Sequence, residues 1–136
     1  MPTSAITTIE ASFLTQIVAG TTLEGALAGS MQAVGVYPYA FVKIEGGDVN
    51  YDGNTRLDVK YTVTVLVESR DTEITRYAIE ELLCLFTPFT SVNAMWTLGV
   101  NSINPISSEI PFPVNPPANE PCYGTVAYEM IVRYRY

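Results

Sequence analysis

The sequence predicts an α+β fold, in which a mainly antiparallel sheet of about four strands carries two helices packed on it. Residues 56–69 alternate apolar and polar side chains, which is typical of a strand with one buried face. Residues 4–19 and 72–86 instead repeat apolar side chains at helical spacing. Of the 136 residues, 48% are hydrophobic and 15% are charged, so we expect a single domain over residues 1–136 with its own core.

The first elements follow from local signals. Residues 4–19 are predicted to form a helix with Ser4 as its N-cap and Gly20 at its end. Residues 20–35 are rich in small side chains, and a short helix and a loop are both compatible with them. A strand is predicted over residues 40–45, where the chain turns apolar and β-branched.

A polar segment joins this strand to the long one. Asp48, Asn50, Asp52 and Gly53 match the start of a calcium-binding loop. The position at which such a loop needs a bidentate glutamate is Val59, however, and both flanks are predicted strands. Because Gly, Asp and Asn tolerate turn geometry, a hairpin connection is the favoured interpretation and a calcium site the alternative.

The strand over residues 56–69 is the clearest signal, and it is long. Its apolar face comprises Leu57, Val59, Tyr61, Val63, Val65 and Val67. At about 3.3 Å per residue the strand spans roughly 46 Å, whereas a globule of this size has a diameter of roughly 37 Å. Either a bulge bends the strand, or its end projects onto another copy of the chain; the second long strand at the C-terminus favours projection.

The second half of the chain is predicted to open with a helix over residues 72–86, with Asp71 as its N-cap. The apolar face of this helix comprises Ile74, Tyr77, Ala78, Leu82 and Leu85. Cys84 lies in the same apolar pattern, so a buried, inert thiol is expected.

Two more strands and an irregular segment complete the prediction. One strand is predicted over residues 91–100, which include Trp96, and the last over residues 124–136. Between them, residues 101–121 are predicted to form a loop or arm, because six of the nine prolines occur there and proline removes a ladder hydrogen bond.

Composition excludes several function classes. Without histidine the chain has no Ser-His-Asp triad and no imidazole metal site, and two cysteines are too few for a four-cysteine zinc site. The net charge of −7 argues against a large nucleic-acid footprint. The first cation is Lys43, so no export signal is expected, and no apolar run is long enough for a membrane span. We predict a soluble, non-enzymatic protein of a reducing compartment, with no catalytic residues, cofactor or metal.

Two aromatic groupings have alternative interpretations. Arg133, Tyr134 and Arg135 interleave cations with an aromatic ring, as in some nucleic-acid-binding strands. The favoured interpretation is a strand with one packed aromatic face and one cationic face. A pocket lined by Tyr61, Tyr77 and Trp96 would instead suit a small dimeric α/β enzyme or ligand-binding domain.

The order of elements resembles that of the tail terminator, or tail completion, proteins of long-tailed bacteriophages. The resemblance is carried by Val36-Tyr37-Pro38-Tyr39-Ala40-Phe41-Val42 entering a strand, the Gly/Asp turn, the long strand to Glu68, the helix opening at Asp71 and the terminal strands. It covers residues 1–100 and 122–136. The proline-rich residues 105–121 depart from the family pattern.

The resemblance implies a structural virion protein of the tail neck, assembled in the host cytoplasm as a homo-oligomeric ring, usually a hexamer. Such a ring caps the tail tube, stops its polymerisation and offers a surface to the head connector; in contractile phages it also meets the sheath. DNA passes through the lumen without specific binding. Another neck or head–tail joining protein is the near alternative. We expect Arg56, Lys60, Arg133, Tyr134 and Arg135 at the subunit interface, where the cations would pair with a neighbour's carboxylates.

Overall fold

The computed structural model describes residues 3–29, 37–51, 53, 55–86, 95, 98–112 and 121–135. The elements are helix α1 (Ala5–Gly20), strands β1 (Gly25–Ala28), β2 (Tyr39–Glu45), β3 (Val49–Tyr51) and β4 (Arg56–Ser69), helix α2 (Thr72–Leu85), and strands β5 (Val100–Phe112) and β6 (Cys122–Arg135). The α+β class is confirmed. The sheet is larger than predicted, however, with six strands among the described residues.

The sheet is built around the two longest strands. Its order is β1-β2-β4-β6-β5, with the short β3 paired to the beginning of β4. β4 and β6 are antiparallel along their whole length, from Arg56 opposite Arg135 to Ser69 opposite Cys122, without a register shift. The β1–β2 pair is parallel, so the sheet is mixed rather than purely antiparallel. β2 and β4 are antiparallel, as the predicted hairpin connection requires, but residues 49–51 of that connection form the additional strand β3, which pairs with β4. Asp52 lies outside the described residues.

Both helices pack on one face of the sheet, and a cluster of three aromatic rings joins the two layers. Phe13 of α1 stacks on Phe86, which follows α2, with ring centroids 4.3 Å apart. Tyr128 of β6 meets the edges of both rings, at 5.8 Å and 5.2 Å. Its hydroxyl donates a hydrogen bond to the carbonyl of Leu82, and burial raises the pKa of this phenol well above its usual range. Tyr128 therefore enters the core with its polar atom bonded.

Helix α1 forms as the sequence predicts. Ser4 is the N-cap, and its Oγ accepts a hydrogen bond from the Thr7 amide at 3.2 Å. The helix ends at Gly20, where the Leu85 side chain of α2 occupies the space that a Cβ would need. The buried side of α1 consists of Ile9, Phe13 and Ile17.

Helix α2 also forms within the predicted bounds, and the Asp71 carboxylate caps it by accepting from the amides of Glu73 and Ile74. The predicted buried face is wrong in part, because Ile74 and Tyr77 are 44% and 56% exposed. The residues that α2 buries are Thr75, Ala78, Ile79 and Leu82.

The buried face of α2 differs from the predicted one because of a residue on β6. Gly124 has no side chain, and the end of Ile79 fills the space where a Cβ would lie. Thr75 is tolerated in the core because its hydroxyl lies 3.1 Å from the Asp71 carbonyl and 3.2 Å from the Cys122 sulfur. A buried threonine with satisfied hydrogen bonds is invisible to an analysis of apolar spacing.

The two cysteines also differ from expectation. Cys84 is exposed, so the prediction of a buried thiol at this position is wrong. The buried thiol is that of Cys122, at the start of β6. Cys84 lies seven positions after Tyr77, on the same side of α2. The orientation of the helix that exposes Tyr77 therefore exposes Cys84 as well.

The predictions for residues 20–35, 91–100 and 101–121 are wrong at least in part. The small residues 25–28 form a strand, rather than a helix or loop, because they pair with residues 39–42 of β2. Met95 is helical and the strand begins only at Val100, so the strand predicted over residues 91–100 is wrong where the structure describes it; Trp96 lies outside the described residues.

The proline-rich segment is a strand as far as Phe112. Among the described residues β5 is the last strand in the order, and an edge strand tolerates prolines because one of its sides makes no ladder hydrogen bonds. The register shifts three times, between Val100 and Ser102, Pro105 and Ser107, and Glu109 and Phe112. Two of these irregularities coincide with Pro105 and Pro111. Pairing therefore continues around the prolines through bulges, which the prediction of a loop or arm missed.

Substituting Gly47 tests the docking of the β2–β3 connection on β4. A Cβ at residue 47 would lie 2.7 Å from the backbone oxygen of Lys60, so G47A has to displace backbone. We expect a loss of about 1–3 kcal/mol in the free energy of unfolding, measured by urea denaturation. The matched control is G46A, since a Cβ there meets nothing within 4 Å. Equal stability of the two variants would contradict this packing.

Candidate subunit interface

The outer end of β4 is less deeply buried than the rest of the strand. Along β4, Val63, Val65 and Val67 are fully buried, and the core cluster extends as far as Tyr61. Residues 56–61 are all half-buried, on both faces of the strand. This six-residue end spans about 20 Å, and it is flanked by β3 on one side and by residues 131–135 of β6 on the other. We call these paired segments, residues 49–51, 56–61 and 131–135, the projection.

One face of the projection is apolar, half-buried on β4 and exposed on β3. Residues directly opposite each other in a ladder share a face, and the pairs here are Val49 with Val59 and Tyr51 with Leu57. Val49 is 49% exposed and Tyr51 is 73% exposed. These four residues, which we call the outer platform, continue the core face of the sheet. Each Å² of apolar area left in water forgoes about 25 cal/mol of the hydrophobic stabilisation that burial would give. Contiguous apolar surface of this kind is therefore typical of contact sites.

Two tyrosines on neighbouring strands pack against the edge of the core. The hydroxyls of Tyr61 on β4 and Tyr134 on β6 form a hydrogen bond of 2.8 Å. Partial burial, followed by this hydrogen bond, raises the pKa of Tyr134 to about 12. Tyr134 is therefore neutral at physiological pH, and its hydrogen bond with Tyr61 holds the two strands together at this point.

The opposite face of the projection is polar. The Arg133 guanidinium lies directly across the ladder from Asp58, and its Nε donates to Oδ1 at 3.0 Å and one terminal nitrogen to Oδ2 at 3.4 Å. This bidentate hydrogen bonding holds the pKa of the Asp58 carboxyl below its usual value and raises that of Arg133. The Lys60 ammonium lies 3.9 Å from Glu129, a longer and more exposed contact.

The tip of the projection concentrates positive charge. Arg56 and Arg135 are directly opposite each other, and Arg135 is exposed. Residues 56–61 and 131–135 together hold four cations and one carboxylate, a net charge of +3. Because the whole chain has −7, the remaining residues have −10. The molecule is thus electrically polarised, with a cationic tip on an acidic body.

The five residues predicted for the interface all lie on the projection: Arg56, Lys60, Arg133, Tyr134 and Arg135. Their partners are partly internal, since Arg133 bonds to Asp58, Tyr134 to Tyr61, and Lys60 approaches Glu129. The residues that sequence reasoning missed are Val49 and Tyr51 of β3. Their signal was weak, because three residues between turn formers do not show a strand period.

The alternative ligand pocket receives no support from the described residues. Tyr61 is bonded to Tyr134 at the end of the core, and Tyr77 is exposed on α2. A shallow apolar depression lies elsewhere, between the C-terminal half of α1 and β1, where Val18 and Ala26 line it. No group of three potential metal-ligating side chains lies together in the described part of the chain. Within the same ranges, no helix combines the length and the apolar character needed to cross a bilayer.

Comparison with known proteins gives no further assignment. No model of a known protein family matches this chain. No curated protein matches it at a significant level. Function therefore has to be argued from the geometry of the projection.

The Asp58–Arg133 pair predicts a specific change in acid titration. In R133Q, the pKa of Asp58 should rise toward its ordinary value of 3.8, as measured by NMR titration of the carboxyl carbon. Because the folded-state pKa lies below the unfolded value, the pair stabilises the fold above pH 3.8. That stabilisation is lost as the pH falls through the folded-state pKa. R76Q removes a cation that contacts Glu73 instead and should leave Asp58 unchanged; an unshifted Asp58 in R133Q would refute the assignment.

The tyrosine pair predicts a change in alkaline titration. Tyr134 should lose its proton near pH 12, so its contribution to stability is present below pH 10 and is lost as the pH rises through 12. In an ultraviolet titration of phenolate formation, Y134F should remove one late component, and Y61F should move that component to lower pH. No change in Y61F would mean that burial alone sets the pKa of Tyr134.

Proposed function

We propose that this protein is a tail terminator of a long-tailed bacteriophage, which assembles as a homo-oligomeric ring at the end of the tail tube. The ring would stop tube polymerisation and present a surface to the head connector. It would belong to the neck of the virion and be assembled in the host cytoplasm. The partners are then other copies of the chain, the tail-tube protein, the connector and, in a contractile tail, the sheath.

The observation that carries this proposal is the projection. β4 and β6 are each fourteen residues long, the outer end of β4 is only half-buried, and Val49 and Tyr51 beside it on β3 are exposed apolar side chains. Surfaces of this kind are buried in oligomers, and closed rings form when one surface of a subunit meets a different surface of the next. The acidic body adds support, because a ring of net negative charge lets DNA pass without holding its phosphates.

A different neck or head–tail joining protein would use the same projection and would differ only in its partner. The resemblance of the order of helices and strands along the sequence to that of tail terminators favours the terminator. The small enzyme or ligand-binding domain is disfavoured, because Tyr61 and Tyr77 have separate environments.

The proposal is tested by adding the purified protein to polymerising tail-tube protein. We expect shorter tubes with capped ends in electron microscopy, and ring-sized species by mass photometry of the protein alone or at tube ends. Bovine serum albumin at equal concentration controls for crowding. A stable monomer or dimer that leaves tube length unchanged would overturn the terminator role, and binding to a head connector without any effect on tubes would favour the joining-protein alternative.

A further inference from the structure

One cation of the projection, Arg135, has no partner within the described part of the chain. All seven lysines and arginines lie in the described ranges. Six of them interact within the chain: Lys43 with Glu45, Lys60 with Glu129, Arg76 with Glu73, Arg133 with Asp58, Arg70 with the ring of Tyr37, and Arg56 with the charge of Asp58. The Arg135 guanidinium is exposed, and no ion pair or hydrogen bond joins it to a described residue.

Arg135 belongs to a surface on which like charges lie side by side. It is directly opposite Arg56 in the ladder, and Arg133 is two residues earlier on the same face. We call these three residues the arginine face; it is the face opposite to the outer platform, because Arg56 and Leu57 are successive residues of one strand. Like charges directly across a ladder repel, so an anionic partner would stabilise this surface.

Helix α2 exposes an aromatic ring between carboxylates. Tyr77 is 56% exposed. Glu73 lies four residues before it, and Glu80 and Glu81 lie three and four residues after it, so all three border the ring on the helix surface. With its one cation, Arg76, the helix has a net charge of −2.

Of these three carboxylates, Glu80 is the one left over. Glu73 pairs with Arg76 at 3.2 Å, and Glu81 accepts hydrogen bonds from the amide and hydroxyl of Thr22. Glu80 is exposed, and none of the described side chains pairs with it. A phenol ring next to an unpaired carboxylate is a suitable site for a guanidinium, which stacks on the ring and bonds to the carboxylate at the same time.

The arginine face and Tyr77 are too far apart to meet within one chain. Ile79 of α2 packs over Gly124, near the start of β6. Arg135 lies at the other end of this strand, about 36 Å away at 3.3 Å per residue. Tyr77 is two residues from Ile79, so a contact between Arg135 and Tyr77 has to join two copies of the chain.

We propose that Arg135 of one copy binds against Tyr77 and Glu80 of the next copy, an inference that rests on the ring assembly proposed above. The guanidinium stacks on the phenol ring and donates to the Glu80 carboxylate, and Arg56 beside it adds to the attraction. Charge complementarity selects this pairing, since two arginine faces repel each other. The contact is heterologous, so it propagates from copy to copy until a ring closes.

Exchange of the two charges tests the contact. R135E and E80R should each associate at least about tenfold more weakly than the parent, because two like charges then face each other. The double variant R135E/E80R should recover association, since the signs of the pair are exchanged. Association is measured by sedimentation and mass photometry, with and without tail-tube protein.

The matched controls are K43E and E45R, which make the same charge changes in an exposed ion pair on β2. Both should associate as the parent does, and circular dichroism verifies the fold of every variant. Parent-like association of R135E or of E80R would overturn the proposal, as would a double variant that associates no better than the single ones.

Two substitutions of Tyr77 test the stacking. Y77F keeps the ring and should associate as the parent does, whereas Y77A removes it and should associate more weakly. Association of Y77A equal to that of the parent would refute the stack. Weaker association of Y51A, with Y77A unaffected, would place the contact on β3 instead and would also overturn the proposal.

Cross-linking covers the case of a chain that associates only weakly. Cys84 is exposed and lies four residues after Glu80 on the same side of α2. With a short bismaleimide, R135C should therefore form covalent chains of two and more copies, which R135C/C84S and K43C should not form. Absence of these products, both alone and with tail-tube protein, would overturn the contact.

The outcome is separable from the terminator role. Normal tube capping by both R135E and E80R would refute this contact alone. Recovery of association in R135E/E80R, in a protein without effect on tubes, would refute the terminator role alone.

Discussion

Fourteen consecutive residue pairs join β4 to β6, and the other elements take their positions from this ladder. One side of it supplies the core, through Val63, Val65 and Val67 on β4 and the alternate residues of β6 from Val126 to Val132. β2 and β5 add to its two edges, and the ring of Tyr128 reaches from it to both helices. Because an unbroken register fixes which side chains share a face, the same ladder decides where the core stops.

The β4–β6 ladder has a fully buried part and a less buried end. The buried part stabilises the fold, and the less buried end is the candidate contact surface. Apolar side chains are fully buried on β4 from Val63 to Val67 and on β6 as far as Val132; past Tyr61 the alternation continues on β4 with half-buried side chains. The polar face of the projection is secured internally by Asp58 and Arg133. This contact is made within one chain, and a surface held in place in advance loses little conformational entropy on binding. That arrangement suits the ring subunit proposed above.

Prediction from sequence succeeded where one periodic signal was strong and failed where neighbours decided the outcome. The bounds of β4 and the caps of α1 and α2 were readable from alternation and from Ser4 and Asp71. The buried face of α2 was misread, because Gly124 on a distant strand makes room for Ile79 and because Thr75 is buried with its hydroxyl satisfied. β5 was missed because an edge strand accommodates prolines by shifting register, which composition does not reveal.

The sequence by itself determined the α+β class, the length of the two principal strands and the excess of negative charge, since each depends on local pattern or on composition. Only the tertiary structure decided which parts of those patterns are covered. The cationic residues of the candidate interface were identifiable because they lie on long, regular strands, whereas Val49, Tyr51, Ile74 and Tyr77 became visible only once pairing and packing had left them exposed. Exposure is a property of what lies opposite a side chain, and a local pattern does not contain that information.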